Sequence, residues 1–293
     1  MSTTKIRLMG PEDLAEVTLL TEMVSWNYGQ EVVRALFESD PEGSFIAELQ
    51  GKVIGVIMGF NLSEKEAFVG MWIVSESWRG QRIGTRLWQR MKEHTGDRNL
   101  CTFSGAERVG PNKRLGFTVE SWKICHVSGT IATEKIKLEE DHCVVSTFPS
   151  REVQFDGLLH YDTKIHTIER ERFLRTWIKD KSTITLVAIG RTGEIIGYGA
   201  IKRDSNYTNL GPIYGETPAI MKTLLVSLVD KTTIGEIINT HVPVGNEILQ
   251  ELLSQNKSTF KVHDEFTRMF LKYEVKAPLE KIFAIASPDG SHC

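Results

Sequence analysis

The feature that most constrains this chain is that its second half repeats its first. Residues 45–60 read FIAELQGKVIGVIMGF and residues 185–201 read TLVAIGRTGEIIGYGAI, so that Gly51-Lys52-Val53-Ile54-Gly55 matches Gly193-Glu194-Ile195-Ile196-Gly197. In each copy a glycine turn joins two apolar runs rich in β-branched residues, the pattern of paired strands. Each hairpin follows an amphipathic helix that ends at an acid, Asp40 in one copy and Asp180 in the other. Each is followed by a third strand and a helix, over residues 68–91 and 210–229. Self-similarity of this kind predicts two tandem copies of one α/β unit, each an α+β arrangement on a mixed sheet.

At 293 residues the chain is long enough for two cores, at roughly 100 to 200 residues per domain. The charged, apolar-poor stretch 132–142 is the best linker. The expected division is a first domain over 1–130, a linker over 131–145 and a second domain over 146–293. A net charge of −3 gives no broad attraction to nucleic acid or to an anionic membrane, so any phosphate contact must be local. The N-terminus has no signal-like apolar core and no run approaches a membrane span of about 18 apolar residues, which predicts a cytoplasmic protein. Cys101, Cys125, Cys143 and Cys293 are widely separated, with no CxxC and no histidines at zinc spacing. His142 beside Cys143 reads as solvated linker.

In the first copy we expect a strand over 6–9, helices from Pro11 and near Gln30, the hairpin, and a third strand over 68–74. A helix over 80–94 then places Ile83, Leu87, Trp88 and Met91 on one core-facing stripe. A strand over 100–103, a short helix over 111–115 and a strand over 119–127 complete it.

The copies diverge after the third strand. The first has SWRGQRIGTRL over 77–87, the second YGETPAIMKTL over 214–224. A phosphate needs converging backbone N–H donors and positive charge, which a glycine-permissive turn entering a helix N-terminus provides. The first copy has both: Gly80 and Gly84 allow close approach, and Arg79, Arg82 and Arg86 add charge. The second offers Glu216 and Pro218, a repelling charge and a missing donor. There is no GxxxxGK[ST], GxGxxG, GxSxG or HExxH.

A third strand ending in a valine, then R/Q-x-x-G-x-G/A entering a helix, resembles the fingerprint of the GNAT acetyltransferases; here it reads Met71-Trp72-Ile73-Val74, then Arg79-Gly80-Gln81-Arg82-Ile83-Gly84. Ser25-Trp26-Asn27, the Asp40–Gly43 turn, Gly116-Phe117, Gly211-Pro212-Ile213-Tyr214 and Arg268-Met269 extend the resemblance to tandem GNAT proteins of the YitH type, whose second half is a diverged GNAT-like domain. The resemblance implies two tandem GNAT-like acyl-CoA N-acyltransferase domains. It implies acetyl-CoA as cofactor, with backbone near Ile73 and Val74 pairing with the pantetheine arm. N–H groups of Arg79, Gly80, Gln81, Arg82, Ile83, Gly84 and Thr85 would hold the pyrophosphate. Arg82 stands where the first motif glycine usually is, and its β-carbon predicts ordinary helical backbone there.

The same family usually transfers acetyl directly to an amine in a ternary complex. An N–H of the Val74–Ser75 region would meet the thioester oxygen. The usual leaving-group tyrosine is replaced by Asn112, which can orient a water but cannot give up a proton and stay neutral. Glu66, at the start of the third strand, is the candidate base, set against the simpler reading of a solvated hairpin glutamate in Ser63-Glu64-Lys65-Glu66. Trp26, Asn27 and Tyr28 fall in the loop that overhangs the acceptor site in this fold, and read alternatively as local packing. His126 reads as a strand histidine. The expected acceptor is a small-molecule amine or amino acid. A non-catalytic acyl-CoA-binding module and a protein or peptide acetyltransferase are the competing readings, and a homodimer is left open.

Overall fold

The first hairpin forms because Gln50 and Gly51 both take positive φ, 53° and 76°, which is the backbone of a type I′ turn and matches the twist of the flanking strands. The computed structural model describes residues 4–26, 28–132, 136, 138, 144–149, 153–204, 207–256 and 259–290. Most of the 131–145 linker, with His142 and Cys143, lies outside these residues, as do Asn27 and Cys293.

In the first copy the strands are β1 (Lys5–Leu8), β2 (Ser44–Leu49), β3 (Lys52–Asn61), β4 (Glu66–Val74), β5 (Asn99–Gly105) and β6 (Val119–Thr130). Its helices are α1 (Leu14–Met23), α2 (Gln30–Ser39), α3 (Ile83–Thr95) and α4 (Ala106–Arg114). The second copy repeats them as β7 (Val144–Phe148), α5 (Phe155–His166), α6 (Glu171–Lys179), β8 (Thr183–Ile189), β9 (Ile195–Arg203), β10 (Thr208–Gly215), α7 (Pro218–Val229), β11 (Ile237–Pro243), α8 (Glu247–Gln255) and β12 (Phe260–Phe270). A last short strand, β13 (Ile282–Ala284), has no counterpart among the described residues of the first copy. The elements follow the expected order. The short helix starts at Ala106 rather than at Pro111, which sits inside it, because α4 packs on β5 and tertiary contact overrides the proline.

All strands belong to one mixed sheet, ordered β1-β2-β3-β4-β5-β12-β6-β11-β10-β9-β8-β7, with β13 against β10. The copies exchange their last strands. β12 of the second copy pairs with β5 of the first, from Phe266↔Gly105 to Phe270↔Cys101. In return β6 of the first copy pairs with β11 of the second, from Ile237↔Thr130 to Pro243↔Ile124. β6 and β12 run antiparallel to each other at the centre. A spatial unit of this fold therefore draws its strands from both halves of the chain.

One face of the first copy's sheet packs against α3 through Ala67, Val69, Ile83, Leu87 and Met91. The other packs against α1 and α2 through Val56, Met58, Phe68, Met71 and Ile73. Cys101 and Cys125 are buried thiols.

Candidate active site

β4 and β5 start as parallel neighbours and then part. They pair at Glu66↔Asn99, Ala67↔Leu100 and Phe68↔Cys101 only. Beyond Phe68, β5 turns to β12 and the rest of β4 has no strand partner on that side over about 20 Å, at roughly 3.3 Å per residue, although its Met71 N–H is taken by Asp289. A bulge opposite Met58 and Val56 accompanies the parting, with Met71 at φ 51°.

The open edge leads to the arginine-rich loop. Gly80 takes φ 80°, which favours glycine, and Arg82 caps α3 in the left-handed region at φ 59°, ψ 15°. Arg82 thus overrides the helical backbone expected of it: the loop needs a left-handed residue before the first turn, and the chain supplies it at the cost of local strain. Arg82→Gly is expected to raise stability by about 0.5–1 kcal/mol by relieving that strain. A higher melting temperature checks it; an unchanged or lower one contradicts a strained Arg82.

Ile83, Gly84 and Thr85 open α3, so their N–H groups precede any intrahelical acceptor. Among the described residues, those N–H groups and those of Gly80, Gln81 and Arg82 have no hydrogen-bond partner. Arg79 is different from what the motif implied: its N–H is bonded to the Glu76 carbonyl at 3.1 Å, and its Nε donates to the Val74 carbonyl at 3.1 Å. Arg79 pins the loop to the strand end. Ser75 N–H is likewise bonded to the Ile54 carbonyl at 2.9 Å, so the thioester-facing donor expected in the Val74–Ser75 region cannot be Ser75.

The opposite wall is β5 with α4. Asn112 is buried and donates from Nδ2 to Ser104 Oγ at 2.7 Å, on the part of β5 that has left β4. The Arg108 guanidinium lies 5.9 Å from the Trp72 ring, which stacks on Trp88 at 5.2 Å. Ser104 and Arg108 carry no motif in the sequence and Trp72 stood there only as part of the strand motif; the splay brings the three together.

On the α1–α2 side, Trp26 is 40% exposed and its ring lies 6.2 Å from that of Tyr28. The Tyr28 hydroxyl donates to Asp289 Oδ2 at 2.7 Å. The next residue, Gly29, backs onto Asp204 of the second copy so closely that a β-carbon there would overlap its carboxylate. Asn27 lies outside the described residues. Glu66 is not a solvated hairpin glutamate: it is buried at the closed end of the splay, accepting from Tyr273 Oη at 2.6 Å and from Asn99 Nδ2 at 3.1 Å. Both carboxylate oxygens are engaged where β4 and β5 still pair, short of the open edge. His126 stacks on His241, 5.1 Å between rings, on the exchanged strands β6 and β11.

Comparison with known proteins agrees with this geometry. Residues 14–114 match the model of the "Acetyltransferase (GNAT) family", and residues 158–284 match that of an "Acetyltransferase (GNAT) domain". The chain belongs to the GNAT acetyltransferases. It is 22% identical over 280 residues to a holothin acyltransferase of Pseudoalteromonas sp. (strain SANK 73390), covering 94% of this chain and 92% of that one. A putative acetyltransferase of Pyrococcus horikoshii shares the fold with a TM-score of 0.77 at 19% identity, covering 98% of this chain and 96% of that one. A tandem GNAT protein from the clavulanic acid biosynthesis pathway does so at 0.62 and 12%, covering 92% and 98%.

The second GNAT copy keeps the splay and closes it. β10 and β11 pair only at Thr208↔Ile238 and Asn209↔Asn239 before parting. β13 then enters the gap, pairing Ile213↔Ala284 and Tyr214↔Ile282, and Ile285 N–H bonds the His241 carbonyl of β11 at 3.0 Å. The N-terminus of α7 is closed as well, by Pro218 in its first turn and by the Thr217 side chain, which accepts from Ile220 N–H. Glu216 is paired with Lys281 at 2.6 Å rather than left as a free repelling charge. What shuts this GNAT copy is its own tail, more than the acid in its loop.

Proposed function

We propose that the protein is an acetyl-CoA-dependent N-acetyltransferase that acetylates the primary amine of a small molecule by direct attack in a ternary complex. The observation that carries this reading is the pairing of one open splay, ending in free N–H donors and arginines, with one splay closed by the chain's own tail. Acetyl-CoA would lie along the open edge of β4, with its pyrophosphate on the N–H groups of Gly80–Thr85 and the charges of Arg82 and Arg108 nearby. The acceptor would enter beneath Trp26 and Tyr28, where the second copy forms the far wall.

Asn112 cannot protonate the leaving thiolate. Its amide donates to Ser104 Oγ, and the proton the thiolate needs comes from the attacking nitrogen. A non-catalytic acyl-CoA-binding module is the reading that the absence of the tyrosine favours. Incubation of acetyl-CoA with a broad amine panel separates the two. Free thiol appearing with at least one amine is expected; stabilisation by acetyl-CoA with no thiol from any acceptor would favour the binding module.

A further inference from the structure

The tail that closes the second copy continues onto the first. After β13, residues 285–290 cross to the α1–α2 face of β4, where Gly290 is wedged between Leu36 of α2 and Phe173 of α6. Asp289 sits directly on the β4 bulge. Its Oδ1 accepts from Met71 N–H at 2.8 Å, and its Oδ2 from Tyr28 Oη at 2.7 Å. Gly70 makes the room: a β-carbon there would stand 2.6 Å from Asp289 Oδ1. This carboxylate is therefore placed by three separate pieces of chain, at the point where β4 leaves β5 and on the face where Trp26 and Tyr28 overhang.

Asp289 has no cation beside it among the described residues. Burial away from water raises its pKa, and the Met71 N–H and Tyr28 hydroxyl only partly offset that. The titratable group facing it is Tyr28, with Tyr207 next to Tyr28; both phenols are pushed up by burial and stay neutral. A half-buried carboxylate given hydrogen bonds but no counter-charge is suited to a cationic ligand, because an unpaired charge in such a place is costly.

We infer that Asp289 is the acceptor-binding carboxylate of the first copy's site, holding the ammonium of the incoming primary amine and taking one proton from it. This inference rests on the acetyl transfer proposed above. One proton passes from the ammonium to Asp289, giving a neutral amine and a carboxylic acid. The amine lone pair attacks the thioester carbonyl carbon, a C–N bond forms, and the C–S bond breaks with its electron pair on sulfur. The remaining excess proton on nitrogen goes to the thiolate, and Asp289 releases its own to solvent. The protein thus uses one tail for two tasks: closing the second copy and furnishing the first.

Asp289→Asn is the discriminating variant. Asparagine has the same shape, its oxygen can still accept from Met71 N–H and its amide can donate to Tyr28, so the bulge is kept while the charge is removed. Tyramine, phenylethylamine, spermidine and glucosamine serve as acceptors, with thiol release followed from pH 5 to 9. For the amine the wild type uses best, Asp289→Asn is expected to lower kcat/KM at least 100-fold while acetyl-CoA affinity stays within twofold. Tyr28→Phe is expected to stay active but to move the acid limb of kcat/KM to higher pH, since losing a donor to the carboxylate raises its pKa. Turnover by Asp289→Asn within threefold of wild type, with the same acid limb, overturns the role of Asp289 and leaves acetyl transfer standing. A wild type that binds acetyl-CoA yet acetylates none of these amines overturns the transferase reading and this inference together.

Discussion

Gly84→Glu is expected to weaken acetyl-CoA binding at least 100-fold, about 2.7 kcal/mol, in a protein that still folds. The second position of α3 tolerates the side chain. A β-carbon on Gly84 would meet Trp72 Nε1 at 3.5 Å and Val74 Cγ2 at 3.7 Å, ordinary contact distances. A glutamate in the first turn of a helix also interacts favourably with its dipole, by about 0.3–1 kcal/mol. The same features that preserve the helix damage the site. The carboxylate would lie against Trp72 and Val74 at the mouth of the splay, compete for the N–H groups of Ile83, Gly84 and Thr85, and repel a pyrophosphate. Calorimetric titration and a thermal melt check the two halves of the expectation. A folded variant with unchanged affinity would remove the loop from the binding site.

Truncation after Thr130 should have a larger effect still: loss of the folded state. Residues 1–130 contain every helix of the first copy but not its full sheet. Without β12, the outer part of β5 loses its partner, and β6 loses both β12 and β11. Ile124 and Val127, fully buried in the intact chain, would face water, and β4–β5 would lose the backing of Met269 and Phe270. Each large apolar side chain so exposed costs about 1.5–3 kcal/mol, against a whole-domain stability of about 5–15 kcal/mol. The unpaired strands would also be templates for aggregation. We expect residues 1–130 alone to be insoluble or to melt without cooperativity, and co-expression with the remainder as a second chain to restore a soluble, acetyl-CoA-binding pair. A soluble, cooperatively folding 1–130 fragment would contradict the importance of the exchange.

Local chemistry made much of this legible in the sequence. The turn at Gly51 announced the first hairpin, the stripe of Ile83, Leu87 and Met91 announced α3, and Gly80 announced the turn that enters α3, where we propose the phosphate is held. Each depends on neighbours within a few residues. What the sequence hid is long-range. The apolar positions of β12 suit pairing with either copy, so nothing in its residues says that it crosses over. Asp289 lies 218 residues from the Met71 N–H it binds, and no motif links them. Glu66 was a reasonable base by position on β4, but only the register with Asn99 reveals that it lies where the splay is closed. Arg82 obeyed the loop instead of the local preference of its β-carbon, because the turn into α3 fixes the backbone there. For the second copy, the sequence pointed to the loop alone, whereas the structure adds a strand, β13, that enters the splay.

The central claim is that the first copy holds the cofactor and the second cannot. Calorimetric titration of the intact chain with acetyl-CoA tests it most directly. The stoichiometry should be near one, should vanish with Gly84→Glu and should be untouched by Glu216→Ala. A stoichiometry of two, or one site that survives Gly84→Glu, would contradict it.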